Sequence, residues 1–333
     1  MTIRDNCSLA QRNTFGLDVR ADHLVEWSTP EELKSLLPDI EKPILMIGGG
    51  SNLLFMGDFN GTVIHSSISS IEILGSAHDR VHVKVGSGVI WDDFVAWCVI
   101  NGLWGVENLS AIPGEVGASA VQNIGAYGVE AKDVIDTVQS ICLADGSERD
   151  FSNRECRYGY RDSIFKNELK GQYAVAYVIF NLSRIPEPKL GYGALEQEVE
   201  RLGGATLTNI RQAVTSIRES KLPDPKVLGN AGSFFMNPVI PTQRFDALKA
   251  QWPDIPSYPA SGGMIKVPAG WLIEKTGWKG RSLGPAAVYE KQALVLVNKG
   301  GATGNDIKRL ADTIIEDVKQ KFGITLSTEV NYI

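Results

Sequence analysis

Changes in the period of apolar positions along the chain mark out its elements. The helix-like segment 31–40 (EELKSLLPDI) gives way to 42–47 (KPILMI), a short apolar run that predicts a buried strand. Strand-like alternation returns at 62–65 and 81–85. In 89–101, Phe94, Trp97 and Cys98 share one face, Asp92 and Asp93 sit in the first turn and Gly102 follows, which predicts a helix. Residues 134–143 alternate, Asp145-Gly146 can turn the chain, and 147–151 alternate back: a hairpin. A strong strand is expected over 173–182. A helix capped by Thr208 carries Ile210, Val214 and Ile217 on one face and ends near Lys221. Leu222-Pro-Asp-Pro225 reads as a linker and the main domain boundary. Beyond it, the pattern predicts a short helix over 269–277, a strand over 293–297 and an amphipathic helix over 305–322 stopped by Gly323. A final strand over 324–333 would carry Glu329. No internal repeat interrupts this order.

Composition narrows the class. At 333 residues, with 43% hydrophobic and 22% charged positions, the chain matches an ordinary globular protein of two or three domains. Its net charge of −6 argues against nucleic acid or an anionic membrane surface as partner. The longest apolar run, 94–100, is too short to span a bilayer, and the N-terminal sequence has no apolar signal core, so a cytoplasmic protein is expected. Four scattered cysteines without a C-x-x-C pair suit reduced thiols. All four histidines lie at or before residue 82, so acid–base chemistry later in the chain falls to other side chains. His78 and His82 have i,i+4 spacing but flank a turn, and no metal site is expected.

Chemistry concentrates in glycine-rich segments. Residues 113–128, PGEVGASAVQNIGAYG, contain four glycines, no Lys or Arg, and Glu115 as their one charge. Such a segment brings bare backbone amides close to a ligand, and reads as a cradle for something large, flat and partly anionic. The 42–47 strand likewise runs into Gly48-Gly49-Gly50-Ser51-Asn52, a turn whose successive N–H groups suit an anion. That turn is neither a dinucleotide fingerprint nor a P-loop, and Gly86-Ser87-Gly88 fails both tests too. Arg161, Ser233 and Glu329 are side chains with chemical potential. Each also has a plain structural explanation: a surface ion pair, a turn hydroxyl and a solvated strand charge. Ser233 has no histidine near it in sequence and no nucleophile elbow, so a hydrolase triad is not indicated.

Six motifs in order, IGGGSNLLF (47–55), IPGEVGASAVQNIGAYG (112–128), YRDSIFK (160–166), KLPDPKVLGNAGSFFMNP (221–238), AGWLIEKTGWKG (269–280) and STEVNYI (327–333), together resemble the UDP-N-acetylenolpyruvoylglucosamine reductase family over essentially the whole chain. The segments around Tyr192 and Tyr258 resemble the longer type, with a tyrosine loop over the substrate. The resemblance implies an α+β fold: a two-lobed FAD-binding region of the vanillyl-alcohol-oxidase (PCMH) type and a C-terminal α+β substrate-binding domain. The lobes would be 1–67, joined by the strand 324–333, and 68–220, with 221–323 as the substrate domain. It implies FAD held by Gly48, Gly49, Gly50, Ser51, Asn52 and Leu53. Pro113, Gly114, Gly117, Ala118, Ser119, Gln122, Asn123, Ile124, Gly125, Ala126 and Tyr127 would share that task. NADPH would supply the reducing equivalents, and the partner would be a UDP-sugar enolpyruvyl ether, reduced to UDP-N-acetylmuramate for peptidoglycan. Ser233 matches the proton donor, and Arg161 and Glu329 match residues that stabilise the developing charge. Tyr192, Lys221, Asn237, Tyr258 and Gln292 match substrate contacts. A monomer is expected. One departure stands out: Asn331 occupies a position where the family often has Arg. The alternatives are a PCMH-type FAD oxidase and a non-catalytic nucleotide-sugar binding protein.

Overall fold

Period-two burial builds the larger sheet. In the computed structural model, which describes Thr2–Ile333, Val81, Val83 and Val85 of the strand Arg80–Gly86 are buried while His82 and Lys84 are partly covered. Tyr173–Ser183 alternates in the same way and pairs antiparallel with it, Phe180 opposite Val83 and Val178 opposite Val85. The predicted hairpin forms as Ile135–Cys142 and Glu148–Ser152, with Val138 opposite Phe151. The resulting antiparallel order is Glu148–Ser152, Ile135–Cys142, Tyr173–Ser183, Arg80–Gly86 and Ile71–Ala77. The helix Trp91–Ile100 contributes Trp91, Phe94, Val95 and Cys98 to the same core. Its Phe94 ring lies 4.7 Å from Phe180 and 5.7 Å from Trp91, and Gly102 leaves the helix at φ 68°.

A second sheet pairs its inner strands in parallel, because the chain returns to it through helical or loop crossovers. Arg20–Trp27 and Ile44–Ile47 both run parallel to the central strand Phe59–Ser66. The edge strand Thr2–Ser8 completes it. The helix Pro30–Leu36 connects two of these strands; Thr29 caps it, accepting from the Glu32 N–H, and Leu33 and Leu36 are buried. The helix Leu207–Lys221 buries Ile210, Ala213 and Val214 against Trp104, Leu195 and Val199. Its cap is Thr206, whose hydroxyl accepts from Asn209 N–H at 3.1 Å, two residues before the Thr208 expected from sequence.

Packing divides the chain into two units. One comprises 1–7, 20–50 and 59–220; the other comprises 8–19, 51–58 and 221–333. In the second, Gly229–Ser233 pairs antiparallel with Val295–Asn298, beside Ala286–Val288 and Ser282–Leu283. The amphipathic helix is Gly304–Phe322. A reciprocal box between Thr303 and Asp306 starts it, and Gly323 at φ 66° ends it. Ile307, Leu310, Ile314 and Val318 form its buried stripe. The final segment differs from expectation: only Asn331–Tyr332 forms a strand, parallel to Leu53–Leu54. Ile324, Leu326 and Val330 are buried in alternation, but the backbone there makes only an isolated bridge, Thr328 to Phe235. Alternating burial had mimicked a ladder that the hydrogen bonds do not form. Among the described residues no helix is long and apolar enough to cross a membrane, and no group of three or more His, Cys, Asp or Glu side chains is placed to hold a metal.

Candidate functional site

The cradle segment is packed closely against its neighbours at Gly117. After Gly114 at φ 120°, the backbone of Val116 donates to Val89 and that of Gly117 to Ser87, both at 2.9 Å. A Cβ on Gly117 would lie 2.7 Å from the Ser87 Cβ, so packing itself requires glycine there. The short helix Val116–Gln122 then ends at Asn123 in the left-handed conformation, φ 48°. The Gly48-Gly49-Gly50 turn, reached from Ile44–Ile47, lies directly on this segment. A Cβ on Gly48 would stand 3.1 Å from the Ala118 Cβ, and one on Gly49 3.3 Å from the Gly114 Cα.

The polar side chains of the cradle are committed to the fold. Ser119 donates its hydroxyl to Val116 O at 2.6 Å. Asn123, fully buried, donates to Gly159 O and Glu130 Oε2 and accepts from Lys132 N–H. Gln122 Oε1 accepts from Lys166 Nζ at 2.8 Å. The interior therefore uses the amides and hydroxyl that sequence offered as ligand partners. Two glycine segments packed directly on one another, with little charge, fit a flat cofactor approached mainly by backbone.

Arg161 is brought onto the end of this segment. At φ 56°, it donates Nη2 to Gly125 O at 2.6 Å, and Lys166 Nζ donates to its carbonyl at 2.8 Å. Its neighbour Asp162 accepts from Asn167 Nδ2. Tyr127 meets Tyr192 edge-on, ring centroids 6.0 Å apart, with Tyr192 46% exposed. Asn108, which the sequence reading passed over, is fully buried and donates to both Tyr127 O and Lys189 O, tying the cradle to the segment that carries Tyr192.

A second unforeseen network pins Ala111, a non-glycine residue at φ 58° just before the cradle. Its N–H donates to Asp92 at 2.6 Å and its carbonyl accepts from Arg218 Nε at 3.2 Å. Arg211 grips Asp92 through two bonds of 2.6 and 2.8 Å. Burial pushes the Asp92 carboxyl up, yet the Arg211 and Ala111 hydrogen bonds and the charges of Arg211 and Arg218 outweigh it and leave it below its ordinary value. Burial draws Arg218 below the usual guanidinium value; Tyr127 opposes this and the Arg161 charge adds to it. Arg211 and Arg218 are seven apart on one helix, a spacing that marks a shared face but not its partner.

In the second unit, Ser233 ends the strand Gly229–Ser233 opposite Val295, after Gly232 at φ 66°. Buried Asn230 holds this turn: it accepts from Gly232 N–H and donates to Pro223 O and Leu228 O. Glu329 N–H donates to Phe234 O at 2.9 Å, so Ser233 and Glu329 stand on adjoining backbone segments. Asn52 Nδ2 donates to Glu329 O at 3.2 Å, and Leu53 pairs with Asn331. Asn331 itself donates from backbone and side chain to Asn52 O, which gives the residue standing in for Arg a local partner. Asn237 Oδ1 accepts from Ala269 N–H, and a Cβ on Gly270 would lie 3.2 Å from Gln292 Oε1, so both amides sit at the start of the helix Ala269–Lys275. Tyr258 lies on a separate small sheet opposite Lys266 and is 45% exposed. Lys221, exposed, ends its helix.

Known proteins resemble the chain on the same terms. Residues 21–152 match the FAD binding domain family, and 224–333 match the family described as UDP-N-acetylenolpyruvoylglucosamine reductase, C-terminal domain. A UDP-N-acetylenolpyruvoylglucosamine reductase of Bacteroides fragilis is 51% identical over 98% of both chains. In fold, the chain is similar to the crystal structure of UDP-N-acetylenolpyruvylglucosamine reductase (MurB) from Thermus caldophilus, with TM-score 0.71 and 23% identity over 99% of each. It is also similar to 6-hydroxy-D-nicotine oxidase from Arthrobacter nicotinovorans, with TM-score 0.55 and 16% identity over 97% of this chain and 86% of that one. The α+β, vanillyl-alcohol-oxidase-type expectation therefore holds for the fold. At half identity over nearly its full length, the chain belongs to the UDP-N-acetylenolpyruvoylglucosamine reductase family and is an FAD-binding oxidoreductase.

Proposed function

We propose that the protein reduces the enolpyruvyl ether of UDP-N-acetylglucosamine to UDP-N-acetylmuramate for peptidoglycan, with NADPH as the source of reducing equivalents. The observation that best supports this reading is the bond from Glu329 N–H to Phe234 O, which joins the backbone segments that carry Glu329 and Ser233, both within the family's own motifs. In this reading 1–67, joined by 324–333, and 68–220 serve FAD, and 221–323 serve the substrate. Gly48 to Leu53 and the 113–127 segment hold the cofactor, which supplies hydride transfer when bound.

The chain's own residues handle proton and charge. Saturating the vinyl ether adds a proton at the carbon that bears the carboxylate, and Ser233 is the donor. Negative charge builds on that carboxylate meanwhile. Arg161 offers a guanidinium there, held by its bond to Gly125 O, so little reorganisation is required as charge develops. Glu329 shares this task at the enolic oxygen. Lys221 suits the diphosphate as a point charge. Tyr192, Asn237, Tyr258 and Gln292 contact the rest of the substrate, Tyr258 from its exposed position.

Following NADPH absorbance with and without the enolpyruvyl substrate tests the reading. Oxidation that requires that substrate and yields UDP-N-acetylmuramate is expected. Oxidation driven by oxygen alone, with the substrate unchanged, would instead mark an oxidase.

A further inference from the structure

A carboxylate is a poor neighbour for an anionic cofactor, yet Glu115 touches the glycine turn. Its Oε2 lies 3.3 Å from where a Gly48 Cβ would stand, and its Oε1 3.9 Å from that of Gly49. The partner that answers this charge is His65. The ring Nε2 lies 2.9 Å from Glu115 Oε1, and the two side chains are 7% and 12% exposed. Strand register explains the meeting. In the parallel sheet His65 stands beside Ile47, the residue before Gly48, on one side and beside Glu26 on the other. Nδ1 of the same ring lies 3.4 Å from Glu26 Oε1, and Glu26 is itself paired with Arg4 of the edge strand.

We propose that His65 is a positioning residue for FAD: it holds Glu115 against the Gly48-Gly49 turn and offsets its charge, so that the turn can keep an anionic cofactor. Both ring nitrogens face carboxylates, and only the imidazolium form donates from both. Arg4 with Glu26, and His65 with Glu115, then make two balanced pairs. The flanking strand Ile44–Ile47 adds no titratable group. The proposal rests on the assignment of the glycine turn to FAD.

The test is a double-mutant cycle on FAD dissociation from the holoenzyme, read from flavin fluorescence released on serial dilution. His65→Asn leaves Glu115 uncompensated and is expected to weaken FAD about tenfold, the scale of coupling between charges in contact. Adding Glu115→Gln to His65→Asn removes the offending charge and returns affinity to within about threefold of wild type. A purely structural histidine would show no such rescue, so a double variant as weak as His65→Asn overturns the proposal, as does an unchanged His65→Asn. Gly49→Val serves as a control for the site: if it leaves FAD affinity intact, the assignment of the turn fails, independently of His65.

Discussion

The glycine cradle and the Ser233–Glu329 region organise polar groups in opposite ways. In the cradle, the side chains that could meet a ligand are turned inward: Ser119, Gln122 and Asn123 each bond another part of the fold. What such a surface presents is backbone, fixed by packing at Gly117 and by a strained Ala111 pinned between Asp92 and Arg218. Around Ser233 the backbone pairs with Val295 and, through Phe234, with Glu329, and the proposed function assigns the chemistry there to side chains. One region thus suits holding a cofactor without perturbing it. The other, in the proposed function, moves a proton. The comparison predicts that substitutions in the first act on cofactor retention and stability, whereas substitutions at the proposed catalytic side chains act on turnover.

The largest effect outside Ser233 is expected at Arg161, the one proposed catalytic side chain that is built onto the cradle. Arg161→Lys keeps the charge but loses the fork, and turnover should fall about a hundredfold with FAD still bound. Steady-state kinetics beside the flavin-to-protein absorbance ratio checks this, and loss of FAD instead would blur the contrast between the regions.

Gly49→Val comes next. Its side chain begins 3.3 Å from the Gly114 Cα, and backbone cannot swing aside as a flexible side chain does. FAD should bind about tenfold more weakly or worse, an effect the size of 1.4 kcal/mol, while circular dichroism reports a folded chain. Unaltered FAD content would show that the two glycine segments need not touch.

The smallest effect concerns Asp92. Its folded-state pKa lies below the ordinary value, so its contribution to stability is present above the unfolded-state pKa and is lost as pH falls through the folded one. Melting temperature of the wild type should therefore drop on acidification, with Asp92→Asn lower at neutral pH and converging on wild type in acid. A constant gap at all pH values would mean that the Asp92 charge does not hold Ala111.

Much of this was legible in advance where local pattern and tertiary role coincide. The helix Gly304–Phe322 announces itself by its apolar stripe, its Thr303–Asp306 box and Gly323, all short-range signals. The hairpin after Ile135 was as clear. The strand expected over 324–333 shortens to Asn331–Tyr332, because Ile324, Leu326 and Val330 are buried without a ladder partner along that stretch. Within the site, the glycine segments and Ser233 carry motifs, whereas His65, Asn108, Asp92 and Arg218 act through partners distant in sequence. Asn108 sits 81 residues from Lys189, and His65 sits 50 from Glu115. No local period encodes such contacts.

The division of labour rests most heavily on Ser233, and stopped-flow measurement of Ser233→Ala tests it directly. NADPH should bleach the flavin absorbance of the variant at the wild-type rate, and FAD should remain bound. Return of that absorbance on adding the enolpyruvyl substrate should slow by about 10²–10⁴-fold, the usual contribution of a positioned proton donor. Equal slowing of both phases, or loss of FAD, would contradict the assignment of the proton to Ser233 and of the cofactor to the cradle alone.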